Sequence, residues 1–180
     1  EFEIFMFEPN SDPPRIRGNK IELIRKAIWV YDGDIIFYEK DVNSEGNTLL
    51  KEKTKRENRK FKENIVECIS LSNWIKSNFD KKDYIILKLD IEGAEYEVIK
   101  DLNDNQIFDF VNIFFCEIHG LKCGKTFEES IDLIKICKNN NIVPYRWNGD
   151  TFNYKNYTNR VYTEEHMTNE FNKWKKRGLK

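Results

Sequence analysis

Tyr84-Ile85-Ile86-Leu87-Lys88-Leu89-Asp90-Ile91-Glu92-Gly93-Ala94-Glu95 sets an almost unbroken apolar run against an acidic, glycine-bearing turn. Such a run predicts a strand buried on both faces of a parallel sheet. Beyond Gly93, which frees the backbone to turn sharply, Ala94, Val98, Ile99 and Leu102 recur at helical spacing. Strand, turn and helix therefore follow in order.

The unit recurs downstream. Phe110 to Ile118 reads as a second buried strand, and Thr126-Phe127-Glu128-Glu129 forms a capping box for a helix with Phe127, Ile131, Ile134 and Cys137 on one stripe. Alternating strands and helices imply an α/β fold with an open, mostly parallel sheet. Upstream, Glu1 to Phe7 reads as a strand that breaks at Glu8-Pro9-Asn10, before a proline-broken stretch. Ile21 to Lys40 is β-rich, and the Asp32-Gly33 turn within it predicts a hairpin.

Residues Asp41 to Asn64 are crowded with charges of both signs, which predicts a loop or solvated helix. A phosphate-contacting patch of Lys51, Lys53, Lys55, Arg56, Arg59, Lys60 and Lys62 is the sharper alternative. Ile65 to Ile69 resumes a strand, and Ser72 is placed to cap a helix through Phe79. Near the C-terminus, Ile142 to Trp147 and Thr151 to Tyr154 flank Asn148-Gly149-Asp150 as an antiparallel hairpin, and Glu164 to Lys176 closes with a helix.

At 180 residues the chain suits one domain, 1–180, with room for a core that needs no metal or disulfide staples. Thirty basic residues stand against thirty-one acidic ones, a net charge of -1, so nothing draws it globally to nucleic acid or an anionic membrane. Cys68, Cys116, Cys123 and Cys137 are scattered without a paired or zinc-binding spacing, which favours buried, reduced thiols. No stretch approaches the roughly 20 apolar residues that cross a bilayer. The expectation is a soluble, cytoplasmic protein with no membrane partner.

In open α/β sheets ligands collect beyond the carboxyl ends of the strands. Three sets of polar residues stand there: Glu8, then Asp90 with Glu92 and Glu95, then Glu117 with His119. An acidic residue at a strand end can accept both hydroxyl protons of a ribose, although a loop carboxylate capping nearby amides would look the same at Glu8. Asp90 ends a run expected to be buried, where an ionised carboxylate needs a partner or a function. Glu92 and Glu95 fall where a helix start favours negative charge, so their acidity has a structural explanation. Glu117 and His119 alternate along one strand and so face one side, as a base with its orienting partner or as metal ligands.

These residues resemble the FkbM-type methyltransferases, most of which act on hydroxyl groups of sugars or other small polar acceptors. Phe7-Glu8-Pro9-Asn10 looks like the family's post-strand acidic motif and Lys26 through Tyr38 like its hairpin. Leu87 through Glu95 looks like its central signature, and Glu117-Ile118-His119 like the strand end that follows.

The resemblance implies a Rossmann-like class I methyltransferase fold, S-adenosylmethionine as cofactor, and transfer of a methyl group to a sugar or glycan hydroxyl. It further implies that Glu8 holds the cofactor ribose, that Asp90 lies beside the reactive methyl, and that Glu117 and His119 line the acceptor site. The family pattern opens with a strand and a glycine-bearing acidic loop around the methionine part of the cofactor. Nothing before Glu1 supplies them, so the chain is expected to be a truncated piece of a longer protein.

A sugar hydroxyl must lose its proton as the methyl is attacked, and either Asp90 or His119 could take it. A divalent ion, magnesium or manganese, held by Asp90, Glu117 and His119 is the alternative route to the same end. Two rival functions remain: a non-catalytic module binding glycans or a protein, and a nucleic-acid methyltransferase using Lys51 to Lys62 and the basic C-terminus. The neutral overall charge weighs against the last. Trp29, Trp74, Trp147 and Tyr145 are candidate sugar-stacking faces.

Overall fold

Along the chain run β1 (Ile4–Phe7), β2 (Ile21–Ile24), β3 (Ala27–Trp29), β4 (Gly33–Glu39), α1 (Lys51–Arg56), β5 (Lys62–Ser70) and α2 (Leu71–Asn78). They are followed by β6 (Ile85–Leu89), α3 (Glu95–Asp104), β7 (Val111–Cys116), α4 (Phe127–Asn139), β8 (Pro144–Arg146) and α5 (Glu164–Lys176). This computed structural model describes residues 2–10, 20–40, 46–57, 60–146 and 161–176. The segment 11–19 and residues 147–160, with Trp147 and the turn and second arm of the C-terminal hairpin expected from sequence, lie outside them.

The strand–turn–helix reading holds where it was clearest. β6 and β7 pair in parallel, with Leu89 opposite Cys116, and β8 adds in parallel on the other side of β7. Tyr145 of β8 also bridges antiparallel to Val161. Tyr96, Val98, Ile99 and Leu102 of α3 are all buried, together with Phe114 of β7 and Leu133 of α4. Each such side chain contributes about 1.5–3 kcal/mol. α3 packs on α4 and α4 on α5, closing the core on that face, and all four cysteines are buried and free.

The opposite face of the central sheet departs from expectation. Ile86 and Lys88 alternate outward and are exposed, so β6 is covered on one face only among the described residues. An apolar run records that both faces can be dry; which faces are covered depends on neighbours that the run does not encode.

The Asp32-Gly33 turn does not join a hairpin. β3 and β4 each pair with β5, β3 in parallel and β4 antiparallel, giving the order β3-β5-β4. The nine-residue β5 lies between them, and the Asp32 carboxylate accepts the backbone N–H of Ser70 at 3.1 Å across that gap. The turn is real but its arms splay around a third strand.

Two smaller expectations also shift. The cap of α2 is Ser70, whose hydroxyl accepts the Asn73 N–H at 3.3 Å, whereas Ser72 is inside the helix and bonds Asp101. In the charged region, α1 is not a solvated helix throughout, because Lys53 is buried. Thr126 and Glu129 make the predicted capping box, and α5 matches its predicted limits. Among the described residues no helix is long and apolar enough to cross a membrane.

Candidate active site

A cleft of about 650 Å³ opens at the carboxyl ends of β1, β6 and β7. Glu8 enters it from just beyond β1, Asp90 from just beyond β6, and Glu117 and His119 from beyond β7. Ala27 and Ile28 of β3 and Phe37 of β4 add apolar surface to its lining. All four site residues expected from the sequence thus line one cavity, within the roughly 300–1,000 Å³ of small-molecule sites.

Glu8 is fixed from both sides. Its N–H donates to Ile24 O at 3.1 Å, continuing the β1–β2 ladder, and its Oε1 accepts the Asn10 N–H at 3.0 Å. Asn10 is fixed in turn by the Asn47 side-chain amide at 2.6 Å, and Asn47 Oδ1 accepts the Lys40 N–H at 2.9 Å. The loop-capping role that competed for Glu8 is therefore present. A carboxylate has about four lone-pair sites, however, and one amide leaves capacity for hydroxyl groups.

Asp90 is not buried. Its side chain is 30% exposed to the cleft and pairs with Lys88 at 3.0 Å. The sequence argument from burial fails for it, since its apolar run ends at the cavity wall and Asp90 projects past it.

His119 is the reverse, only 4% exposed and ringed by carboxylates. Nδ1 lies 3.0 Å from Glu95 Oε1, while Nε2 lies 3.5 Å from Glu92 Oε2 and 3.6 Å from Glu117 Oε1. Burial opposes a charge on the ring, but Glu95, by charge and by hydrogen bond, outweighs it with Glu92 and Glu117 and pushes the pKa up to about 9. The surrounding carboxylates thus favour the protonated, imidazolium form of the ring. Burial raises the Glu117 carboxyl above the ordinary carboxylate range; the His119 charge pulls against this, and Asp90 and Glu92 add to the rise.

Three further residues build this end of the cleft. Glu95 is fully buried at the start of α3, where its oxygens accept the N–H groups of Ile91 at 2.9 Å and Gly93 at 2.8 Å as well as facing His119. Its helix-start role is as read from the sequence, and its contact with the imidazole is additional. Glu92 adopts a left-handed φ of 53° and lines the cleft, its carboxylate joined to the buried Lys53 ammonium. Its carbonyl accepts the Thr48 hydroxyl at 2.7 Å. Lys53 also donates to Gly46 O at 3.0 Å, so this lysine of the charged region supports the turn of the central motif.

The mixed donor set differs slightly from that expected. One donor atom each from Asp90, Glu92 and His119 lie within 4.8 Å of one another, with Glu92 in the place expected for Glu117. The aromatic candidates fall elsewhere: Trp74 packs edge-on against Phe5, Phe7 and Phe79, and Tyr145 tilts over Phe115. Neither they nor Trp29 line the cleft. His166 sits on α5 beside Arg146, away from the site.

A family model described as the methyltransferase FkbM domain matches residues 1–143 of the chain. No curated protein and no solved structure matches it.

Proposed function

The chain belongs to the FkbM methyltransferase domain family, and from that premise we propose that it transfers the methyl group of S-adenosylmethionine to a hydroxyl of a sugar or glycan. The observation that carries this is the single cleft lined by all four side chains, Glu8, Asp90, Glu117 and His119. Glu8 and the wall of Ala27, Ile28 and Phe37 fit a nucleoside, with a carboxylate for ribose hydroxyls beside apolar surface for a base. Asp90, Glu117 and His119 of the same lining fit a polar acceptor that must lose a proton.

When bound, the cofactor supplies an electrophilic methyl on a sulfonium, which passes to the acceptor oxygen as the S–C bond breaks and S-adenosylhomocysteine leaves. The chain must then orient the acceptor and take its proton. Asp90, open to the cleft, takes that proton. Asp90 is preferred to His119 as the base in this reading, because Glu95, Glu92 and Glu117 hold the ring toward its protonated form. Its charge instead stabilises the negative oxygen that forms during attack.

Calorimetry with S-adenosylhomocysteine, together with mass spectrometry of a sugar panel incubated with cofactor and protein, tests the proposal. Expected are saturable binding and a methylated product. An absence of S-adenosylhomocysteine binding would overturn it.

A further inference from the structure

We propose that Asp90, Glu92 and His119 form a binding site for one hard divalent cation, with Glu95 as the residue that positions the imidazole. This deepens the reading of the same cleft: the ion would take one oxygen of Asp90 and leave the other to accept the acceptor proton. The proposal stands on three observations of different kinds.

The first is convergence. One carboxylate oxygen from each of Asp90 and Glu92 and a nitrogen of His119 lie within 4.8 Å of one another. Two carboxylates and one imidazole suit magnesium or manganese, and manganese accepts the nitrogen more readily.

The second is the way the imidazole is held. Metal-ligating histidines present one ring nitrogen to the ion and give the other N–H to a carboxylate that fixes tautomer and orientation. Nδ1 of the nine-tenths-buried His119 faces the fully buried Glu95 at 3.0 Å, and the Glu95 carboxylate is itself locked by two backbone N–H groups. Nε2 is left directed at the cluster, with Glu92 and Glu117 at 3.5 and 3.6 Å, outside good hydrogen-bonding distance. An ion entering there takes the place of the Nε2 proton, which leaves to solvent, and brings the positive charge that the imidazolium otherwise sets against the acceptor oxygen.

The third is the left-handed backbone at Glu92. A non-glycine residue with φ of 53° persists where its surroundings impose it, and here the Lys53 ammonium and the Thr48 hydroxyl do so. The result holds Glu92 Oε2 at 3.5 Å from His119 Nε2 while the same oxygen accepts the Lys53 ammonium, leaving Oε1 for an ion. Glu117 flanks the triad and adds negative charge.

The test is titration of Mn(II) into the chain without cofactor, read by loss of the electron paramagnetic resonance signal of the hydrated ion. Expected is one ion per chain, displaced by excess Mg(II). Asp90→Asn should weaken binding at least about tenfold, and Glu95→Gln about 10- to 100-fold, as the removal of an orienting partner does. Asp90 is open to the cleft, so Asp90→Asn keeps the fold even where His119→Ala does not. No signal loss at millimolar chain, or equal binding by wild type, Asp90→Asn and Glu92→Gln, overturns the proposal. S-adenosylhomocysteine binding measured on the same samples separates the two readings. Cofactor binding without Mn(II) binding overturns only the ion site, and the reverse overturns only the methyl-transfer reading.

Discussion

The imidazole of His119 and the carboxylate of Glu95 meet at 3.0 Å, 4% and 0% exposed, with Glu95 wholly shut off from water and His119 reaching only the cleft. Because the Glu95 oxygens also accept the N–H groups of Ile91 and Gly93, one side chain ties the turn after β6 to the segment after β7. Glu95→Ala strands the imidazolium and two buried amides together. A loss of about 3–5 kcal/mol is expected, the usual cost of removing one member of a buried ion pair. Urea unfolding followed by circular dichroism measures it, and a loss under about 1 kcal/mol would show that water replaces the carboxylate freely.

His119 also sets a pH dependence of stability. Its folded pKa of about 9 stands above the 6.5 of a free histidine. The folded state therefore holds the proton more tightly, and the stabilisation is complete below pH about 6.5 and lost as pH rises through about 9. The difference corresponds to about 3 kcal/mol at most. With chelator present, the urea midpoint of the wild type should fall between pH 6.5 and 9.5. The His119→Gln midpoint should change less over that window, and parallel curves would exclude a raised pKa.

Gly93 tests the turn itself. Its φ of 108° is closed to ordinary side chains, and an added Cβ would stand 2.5 Å from Cys123 Sγ and 2.8 Å from Leu50 Cδ1. Gly93→Ala should cost about 2 kcal/mol or more through strain and crowding together. The thermal midpoint should drop by several degrees; an unchanged midpoint would mean that the loop carrying Leu50 gives way without cost.

In the same cleft, Glu8→Ala should weaken S-adenosylhomocysteine binding about 10- to 100-fold, the effect of losing hydrogen bonds to a charged group. Far-UV circular dichroism should stay unchanged, because Glu8 lies past the end of β1 and, among the described residues, its side chain bonds the Asn10 N–H alone. Equal affinity in calorimetry would leave Glu8 as a loop cap and nothing more.

How far these residues are legible in the sequence depends on how local their causes are. β6, the Gly93 turn and α3 are legible because period and turn chemistry lie within twenty residues of one another. The Asp32-Gly33 turn misleads because the strand between its arms, β5, comes some thirty residues later, after a charged excursion. Glu95 shows the same limit at the site: its place at a helix start is local and readable, whereas its bond to His119 crosses twenty-four residues. Lys53 hides most completely. Within a run of mixed charge nothing marks it as the one buried against Glu92, since only the packing of α1 across the central turn selects it.

Asp90 decides between orientation and chemistry. Its carboxylate is open to the cleft and paired only with Lys88 among the described ion pairs, so replacing it with asparagine keeps shape and hydrogen bonding but removes the capacity to accept a proton. If it takes the acceptor proton, kcat should fall about 10²- to 10⁴-fold, the usual contribution of a positioned base. S-adenosylhomocysteine affinity should move less than about threefold if, as proposed, Glu8 holds the nucleoside. Lys88→Met removes the partner and leaves the carboxylate, and should reduce kcat far less. Rates measured for both variants at pH 7 and 9 separate the cases: equal loss in the two makes the ion pair, and not the base, the feature that matters. Recovery of Asp90→Asn at pH 9 would place the missing function in proton removal.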